Sequence, residues 1–197
     1  MSNKNICFLD LACFKKNDDI EQLKPEELLA FEEKYQIQLP GDYKNLMLRQ
    51  NGGYLTCPDN DSSHSYSQSY FFCTVDKLGH PTAPMIGSFW SLEFVTEFSF
   101  DLVKEDQMPS SLLIIGEACD TTSYLCLGIS GDSFGKVYTW TKSEHTDMWS
   151  DYDLDIPYIE KGEMRDRSVK IADSIRELLD GLCTYPKAKA WAPNEFE

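Results

Sequence analysis

Leu28, Phe31 and Tyr35 recur three and four residues apart, which puts them on one helical face and predicts a helix over residues 25–36. Pro25 suits the first turn, where its missing N–H costs little, and Glu26 and Glu27 favour the positive end of the helix dipole. The segment 38–41, Gln-Leu-Pro-Gly, closes that helix. A second stripe of Tyr43, Leu46 and Met47 predicts a helix over 42–50, with Asp42 placed to cap its start. Asn51-Gly52-Gly53 stops it, because glycine readily takes the left-handed conformation past a helix end. Near the C-terminus, Ile171, Ile175, Leu178, Leu179 and Leu182 have the spacing of a core face and predict a helix over 168–182.

Between these helices the period changes. Residues 70–75 read as a strand, Pro81 and Pro84 bracket an irregular stretch, and 89–98 is aromatic with a mixed period that fits neither template. Residues 112–115 read as a buried strand. Leu125, Leu127 and Ile129 alternate along 123–129, and Val137 opposes Tyr138 and Trp140 along 136–141. The turn residues 131–135 between them predict a β-hairpin at the centre of a sheet. The Ser-, Asp- and Asn-rich segment 57–69 reads as an exposed loop, 144–155 as polar, acidic and aromatic, and the chain from Tyr185 as a loose tail.

A chain of 197 residues with 42% hydrophobic and 13% aromatic residues is globular and suits one domain, which at this length buries roughly two-thirds of its unfolded surface. Such a core needs neither metal nor disulfide, and no cofactor is expected. The charge is lopsided, with 33 acidic against 18 basic residues and a formal net of −15. Binding nucleic acid needs Lys and Arg to displace counterions, so this balance argues against nucleic acid and against anionic membranes as direct ligands, and favours a basic protein partner. The seven cysteines, Cys7, Cys13, Cys57, Cys73, Cys119, Cys126 and Cys183, are odd in number and contain no C-x-x-C pair, which points to a reducing cytoplasm. The apolar run 6–14 is interrupted by Asp10 and followed, not preceded, by Lys15 and Lys16, so it is not read as a signal peptide.

Three patterns invite a chemical reading. Gly131-Asp132-Ser133-Phe134-Gly135 matches the G-x-S-x-G nucleophile elbow of hydrolases, with Ser133 as nucleophile. That elbow needs a helix after it, whereas 136–141 alternates like a strand. The downstream His145 and Glu144 are adjacent and cannot be separate limbs of a triad. Cys57, His64, Cys73 and His80 have a zinc-ligand composition but spacings too wide for a knuckle. The acidic run from Asp147 through Asp151, Asp153 and Asp155 lacks the glycine and glutamate of a calcium loop, since Ile156 and Gly162 stand there. With Trp149, Tyr152 and Tyr158 among those carboxylates, the run reads instead as an acidic, aromatic contact surface.

The ordered motifs together resemble the SUKH superfamily. Glu32 in the first helix, Leu39-Pro40, Asp42-Tyr43 and the helix-closing Asn51-Gly52-Gly53 are similar to the family's opening. Residues 112–116, Gly131-Asp132, and Gly135 followed by Val137, Tyr138 and Trp140 look like its central strands, and 171–179 like its closing helix. The chain departs from the pattern at Lys24, where a small cap is usual, at 117–122, which is not glycine-rich, and in the enlarged segments 57–69 and 144–166. The resemblance implies an α+β domain over 18–183, with a mixed, largely antiparallel sheet of about six strands flanked by helices. An extension (1–17) and a tail (184–197) would lie outside it. It implies a non-enzymatic binding protein without catalytic residues: a cytoplasmic immunity protein that neutralises a toxin, such as a nuclease, or a regulatory module like fungal relatives that control cell-wall synthesis.

Overall fold

The first helix forms where its apolar face predicts. The computed structural model describes residues 14–15, 21–55, 70–75, 79–105, 108–118, 123–141 and 168–193. Helix α1 (Pro25–Tyr35) turns Leu28 and Phe31 inward, and the Lys24 N–H donates to Glu27 Oε2 at 2.8 Å, so an acid of the first turn satisfies the helix entrance. Gln36 ends it at φ 54°. Helix α2 (Gly41–Arg49) starts one residue before the expected position, so Pro40 holds the cap and Asp42 lies inside the first turn instead of capping it.

The sheet is larger than the sequence implied. Strands β1 (Phe14–Lys15), β2 (Gly53–Leu55), β3 (Tyr70–Phe72), β6 (Met85–Phe89), β7 (Leu112–Ala118), β8 (Ser123–Gly128), β9 (Val137–Thr141), β10 (Ser168–Ala172) and β11 (Leu182–Thr184) form one nine-stranded sheet. Its main path runs β1-β2-β6-β7-β8-β9-β10, and every pairing is antiparallel. Strand β3 also pairs with β6 and carries β11 on its far edge. The short strands β4 (Thr74–Val75) and β5 (Pro81–Thr82) form a separate ribbon, so the single strand expected over 70–75 breaks at Cys73. Several of these strands have only two or three residues, too few for an alternation to register.

Three further differences have clear causes. The unassigned stretch around 89–98 becomes helix α3 (Leu92–Glu105), packed on β7 with Ser99 Oγ donating to Ile114 O at 2.8 Å. Its apolar positions include the exposed Phe94 and Phe98 beside the buried Leu92 and Val95, so they do not fall on a single core-facing stripe. The helix expected over 168–182 is instead β10, helix α4 (Ile175–Gly181) and β11. Ile171 from the strand and Ile175 from the helix both reach the core, so their helical spacing is a coincidence of the joint. The real boundary is written in Ser174-x-x-Glu177: Ser174 Oγ accepts the Glu177 N–H at 3.0 Å, and Glu177 Oε2 accepts the Asp173 N–H at 2.6 Å. The stretch read as a loose tail contains helix α5 (Tyr185–Trp191), docked against β3 and β11.

The hairpin of β8 and β9 forms as expected. One core joins Leu28, Tyr43, Leu46, Met47, Ile86, Ile114, Leu125, Leu127, Val137 and Ile175, and a smaller one gathers Phe71, Ala83, Cys183, Ala188 and Ala192 under α5. Among the described residues no helix is long and apolar enough to cross a membrane.

Candidate protein interface

The motif residues serve the backbone. Glu32 Oε1 accepts the Leu39 N–H at 2.6 Å and meets Lys44 Nζ at 3.2 Å, tying α1, the Leu39-Pro40 turn and α2 together. Asp42 Oδ2 accepts the Arg176 N–H at 3.3 Å, so α2 and α4 meet at their N-terminal ends. Tyr43 is completely buried, and burial raises its phenol above the usual tyrosine value; its hydroxyl has no hydrogen-bond partner among the described residues. Asn51 Oδ1 accepts the Leu92 N–H at 2.9 Å and its Nδ2 donates to Glu21 O at 3.2 Å. Gly52, at φ 80°, lies so close to the backbone of Trp90 and Ser91 that a Cβ would sit 2.5 Å from Ser91 N, and Gly53 pairs with Phe89. Helix α2 itself leaves through the extended C-cap Gln50, not through a left-handed glycine, and Asn-Gly-Gly, just beyond it, positions the start of α3.

Gly131, Asp132 and Gly135 lie in the turn joining β8 to β9, with Gly135 facing Pro40. Ser133 Oγ donates to Ser130 O at 2.7 Å, and Ser111 O lies 3.3 Å away. The strand that follows, β9, replaces the helix a nucleophile elbow requires, so the hydrolase geometry is not met. Of the four zinc-type residues, Cys57 and His64 lie outside the described residues, and Cys73 faces Cys183. The acidic contact candidates Asp147, Trp149, Asp151, Tyr152, Asp153, Asp155 and Tyr158 also lie outside the described residues, as do Glu144 and His145.

The structure assembles a surface that the sequence pattern left unassigned. Trp140 and Tyr124, a cross-strand pair, stack at 6.0 Å between ring centroids. Tyr124 meets Trp90 edge-on at 5.8 Å, and Trp90 meets Phe94 at 5.2 Å and Phe98 at 5.9 Å. Phe94 and Phe98, one helical turn apart, stack at 4.4 Å. This ladder climbs from the core to solvent: Trp140 is 2% exposed, Trp90 8%, Phe98 41% and Phe94 43%. Exposed Glu93 and Glu97 flank the two phenylalanines on α3. Glu117, also exposed, pairs across from Tyr124 and so shares its face of the sheet.

On the other side of α3 a cleft of about 540 Å³ opens towards α1, lined by Glu27, Phe31, Lys34, Tyr35, Asn51 and Glu93. Tyr35 stacks on Phe100 at 3.9 Å, and Lys34 Nζ stands 4.8 Å over the Tyr35 ring. Helix α3 thus separates an aromatic ladder from an acid-rimmed cleft, and Glu93 borders both. Large rings locked against a core lose little freedom on binding, and neighbouring carboxylates orient a cationic partner. The i, i+4 spacing of Phe94 and Phe98 was the one available signal in the sequence.

The fold defines a class: an α+β domain whose motif residues brace the backbone. The chain matches the family model of the SMI1 / KNR4 family (SUKH-1) over residues 22–181, and it belongs to that family. Comparisons with curated proteins and with solved structures find no match. At the level of the family, this makes it an immunity or regulatory domain, of a kind that is generally non-enzymatic and works through protein–protein contacts.

Proposed function

We propose that this protein is a cytoplasmic immunity protein that neutralises a cognate toxin by binding a basic surface, such as the substrate channel of a nuclease, without chemistry of its own. The observation that carries this reading is the graded aromatic ladder ending at Phe94 and Phe98 beside Glu93 and Glu97, with Glu117 across from its middle rung Tyr124. Buried aromatic anchors ringed by charge are how interfaces concentrate binding energy in few residues. The net charge of −15 adds long-range attraction for a cationic target. The acidic aromatic run holding Asp147, Trp149, Asp151, Tyr152, Asp153, Asp155 and Tyr158 is the second proposed contact element. It follows Trp140, the inner end of the ladder, in the chain.

The test is co-expression and pull-down with the product of the adjacent gene. Co-purification of a basic toxin domain, with loss of its toxicity, supports the reading. A neighbour that is no toxin, and a chain that binds no basic nuclease, would favour the regulatory role and contradict neutralisation.

A further inference from the structure

We propose that Cys73 and Cys183 are a thiol-oxidation site: they close into a reversible disulfide that fastens the β11–α5 unit to β3. The two sulfurs lie 3.3 Å apart, from residues 110 positions apart in sequence. Cys73 directly follows β3, and Cys183 lies in β11, the strand paired with it, so the register Leu182↔Phe72 and Cys183↔Phe71 brings the side chains together. Closing the bond requires a shortening from 3.3 Å to about 2.05 Å.

The two thiols differ in access. Cys73 is half-buried, whereas Cys183 is buried in the small core with Phe71, Ala83, Ala188 and Ala192. Burial, followed by the hydrogen bond with Cys73, pushes the Cys183 thiol up to about 12. Cys73 is therefore the entry point and Cys183 the resolving thiol. With a peroxide as oxidant, the Cys73 thiolate attacks one peroxide oxygen and the O–O bond breaks. Cys73 becomes a sulfenic acid, and water or an alcohol leaves. The Cys183 sulfur then attacks the Cys73 sulfur; the S–S bond forms, the S–O bond breaks, and hydroxide departs with the Cys183 proton as water. Two thiols lose two electrons to the peroxide, and thiol–disulfide exchange with a dithiol restores them.

The bond would add a covalent tie to a unit already held by the β11–β3 pairing, by Ala188 and Ala192 in the small core and by Trp191 Nε1 donating to Thr74 O at 2.8 Å. The reaction needs neither the α3 surface nor a toxin, so it stands or falls apart from the proposed function.

The test treats the reduced full-length protein with stoichiometric hydrogen peroxide and maps its peptides without reduction. The expected product is a Cys73–Cys183 linked peptide that has lost two hydrogens, forms before any other cysteine pair, disappears with dithiothreitol and accompanies a higher Tm. Overoxidation of Cys73 without that peptide, or preferential pairing of Cys73 with another cysteine, overturns the proposal. A second readout traps sulfenic acid with dimedone: wild type should give roughly tenfold less Cys73 adduct than Cys183→Ser, because only the variant lacks the resolving thiol. Equal trapping in a folded Cys183→Ser variant also overturns it, and the wild-type map stands if that variant does not fold.

Discussion

Asn51 Oδ1 accepts the backbone N–H of Leu92 at 2.9 Å, so a residue two positions past the end of α2 satisfies the first turn of α3. A loop motif with no chemistry of its own thereby sets the position of the helix that carries Phe94 and Phe98, the outer rungs of the aromatic ladder. Asn51→Ala should lower stability by about 1–2 kcal/mol through the orphaned donor. Gly52→Ala should cost more, above about 2 kcal/mol, because φ 80° disfavours a side chain and the added Cβ meets backbone it cannot displace. Urea unfolding of the two variants measures both, and an order reversed from this one would show that α3 is positioned by something else.

Glu32 performs two tasks that substitution can separate. Glu32→Gln keeps an acceptor for the Leu39 N–H and loses the Lys44 ion pair, which is partly solvated, so the expected loss is under about 1 kcal/mol. Glu32→Ala also strands the Leu39 N–H and should cost about 1–3 kcal/mol. Equal losses in the two variants would mean that the charge, not the hydrogen bond, holds the turn.

Burial raises the Tyr43 phenol and the Cys126 and Cys183 thiols above their usual values, all through desolvation first. Each group keeps its proton in the folded chain at a pH where the unfolded chain releases it. Stability is untouched by these groups below their unfolded values, about 8.5 for thiols and 10 for tyrosine, and falls as pH rises beyond them. Tyr43→Phe should flatten the decline above about pH 10 and leave neutral-pH stability equal or slightly higher, since the hydroxyl it removes has no partner among the described residues. An unchanged alkaline slope in equilibrium unfolding at pH 7 to 11 would contradict this.

The elements legible in the sequence were those with a long uninterrupted period. Helices α1 and α2 and the β8–β9 hairpin have such patterns, bounded by Pro25, by Asn51-Gly52-Gly53 and by the turn at Gly131–Ser133. Strand–helix joints defeated the pattern, because Ile171 and Ile175 reach one core from two elements. Helix α5 is short, and the residues that bury it, Ala188 and the C-cap Ala192, carry no strong hydrophobic signal. The motif positions could be recognised as a set, but their work as acceptors for backbone N–H groups could not, because Glu32–Leu39 and Asn51–Leu92 are tertiary contacts. The ladder was illegible for the same reason: Trp140 comes from β9, Tyr124 from β8 and Trp90 from the joint between β6 and α3.

Along the ladder, position should decide whether a ring serves the fold or the partner. Trp90→Ala should destabilise by about 3–5 kcal/mol, as large core truncations do. Phe94→Ala and Phe98→Ala should each change stability by under about 1 kcal/mol while weakening partner binding by about 1–3 kcal/mol. A binding defect confined to Trp90→Ala would assign the ladder to folding alone.

The most direct measurement is surface plasmon resonance of the adjacent gene's product, the proposed partner, against wild type, Phe94→Ala/Phe98→Ala and Glu93→Lys/Glu97→Lys across a salt series. The account predicts that association of wild type slows steeply as salt rises, that the charge reversal slows association most at low salt, and that the aromatic pair acts mainly by accelerating dissociation. Rates for both variants indistinguishable from wild type, or an association rate indifferent to salt, would contradict binding of a basic partner through α3.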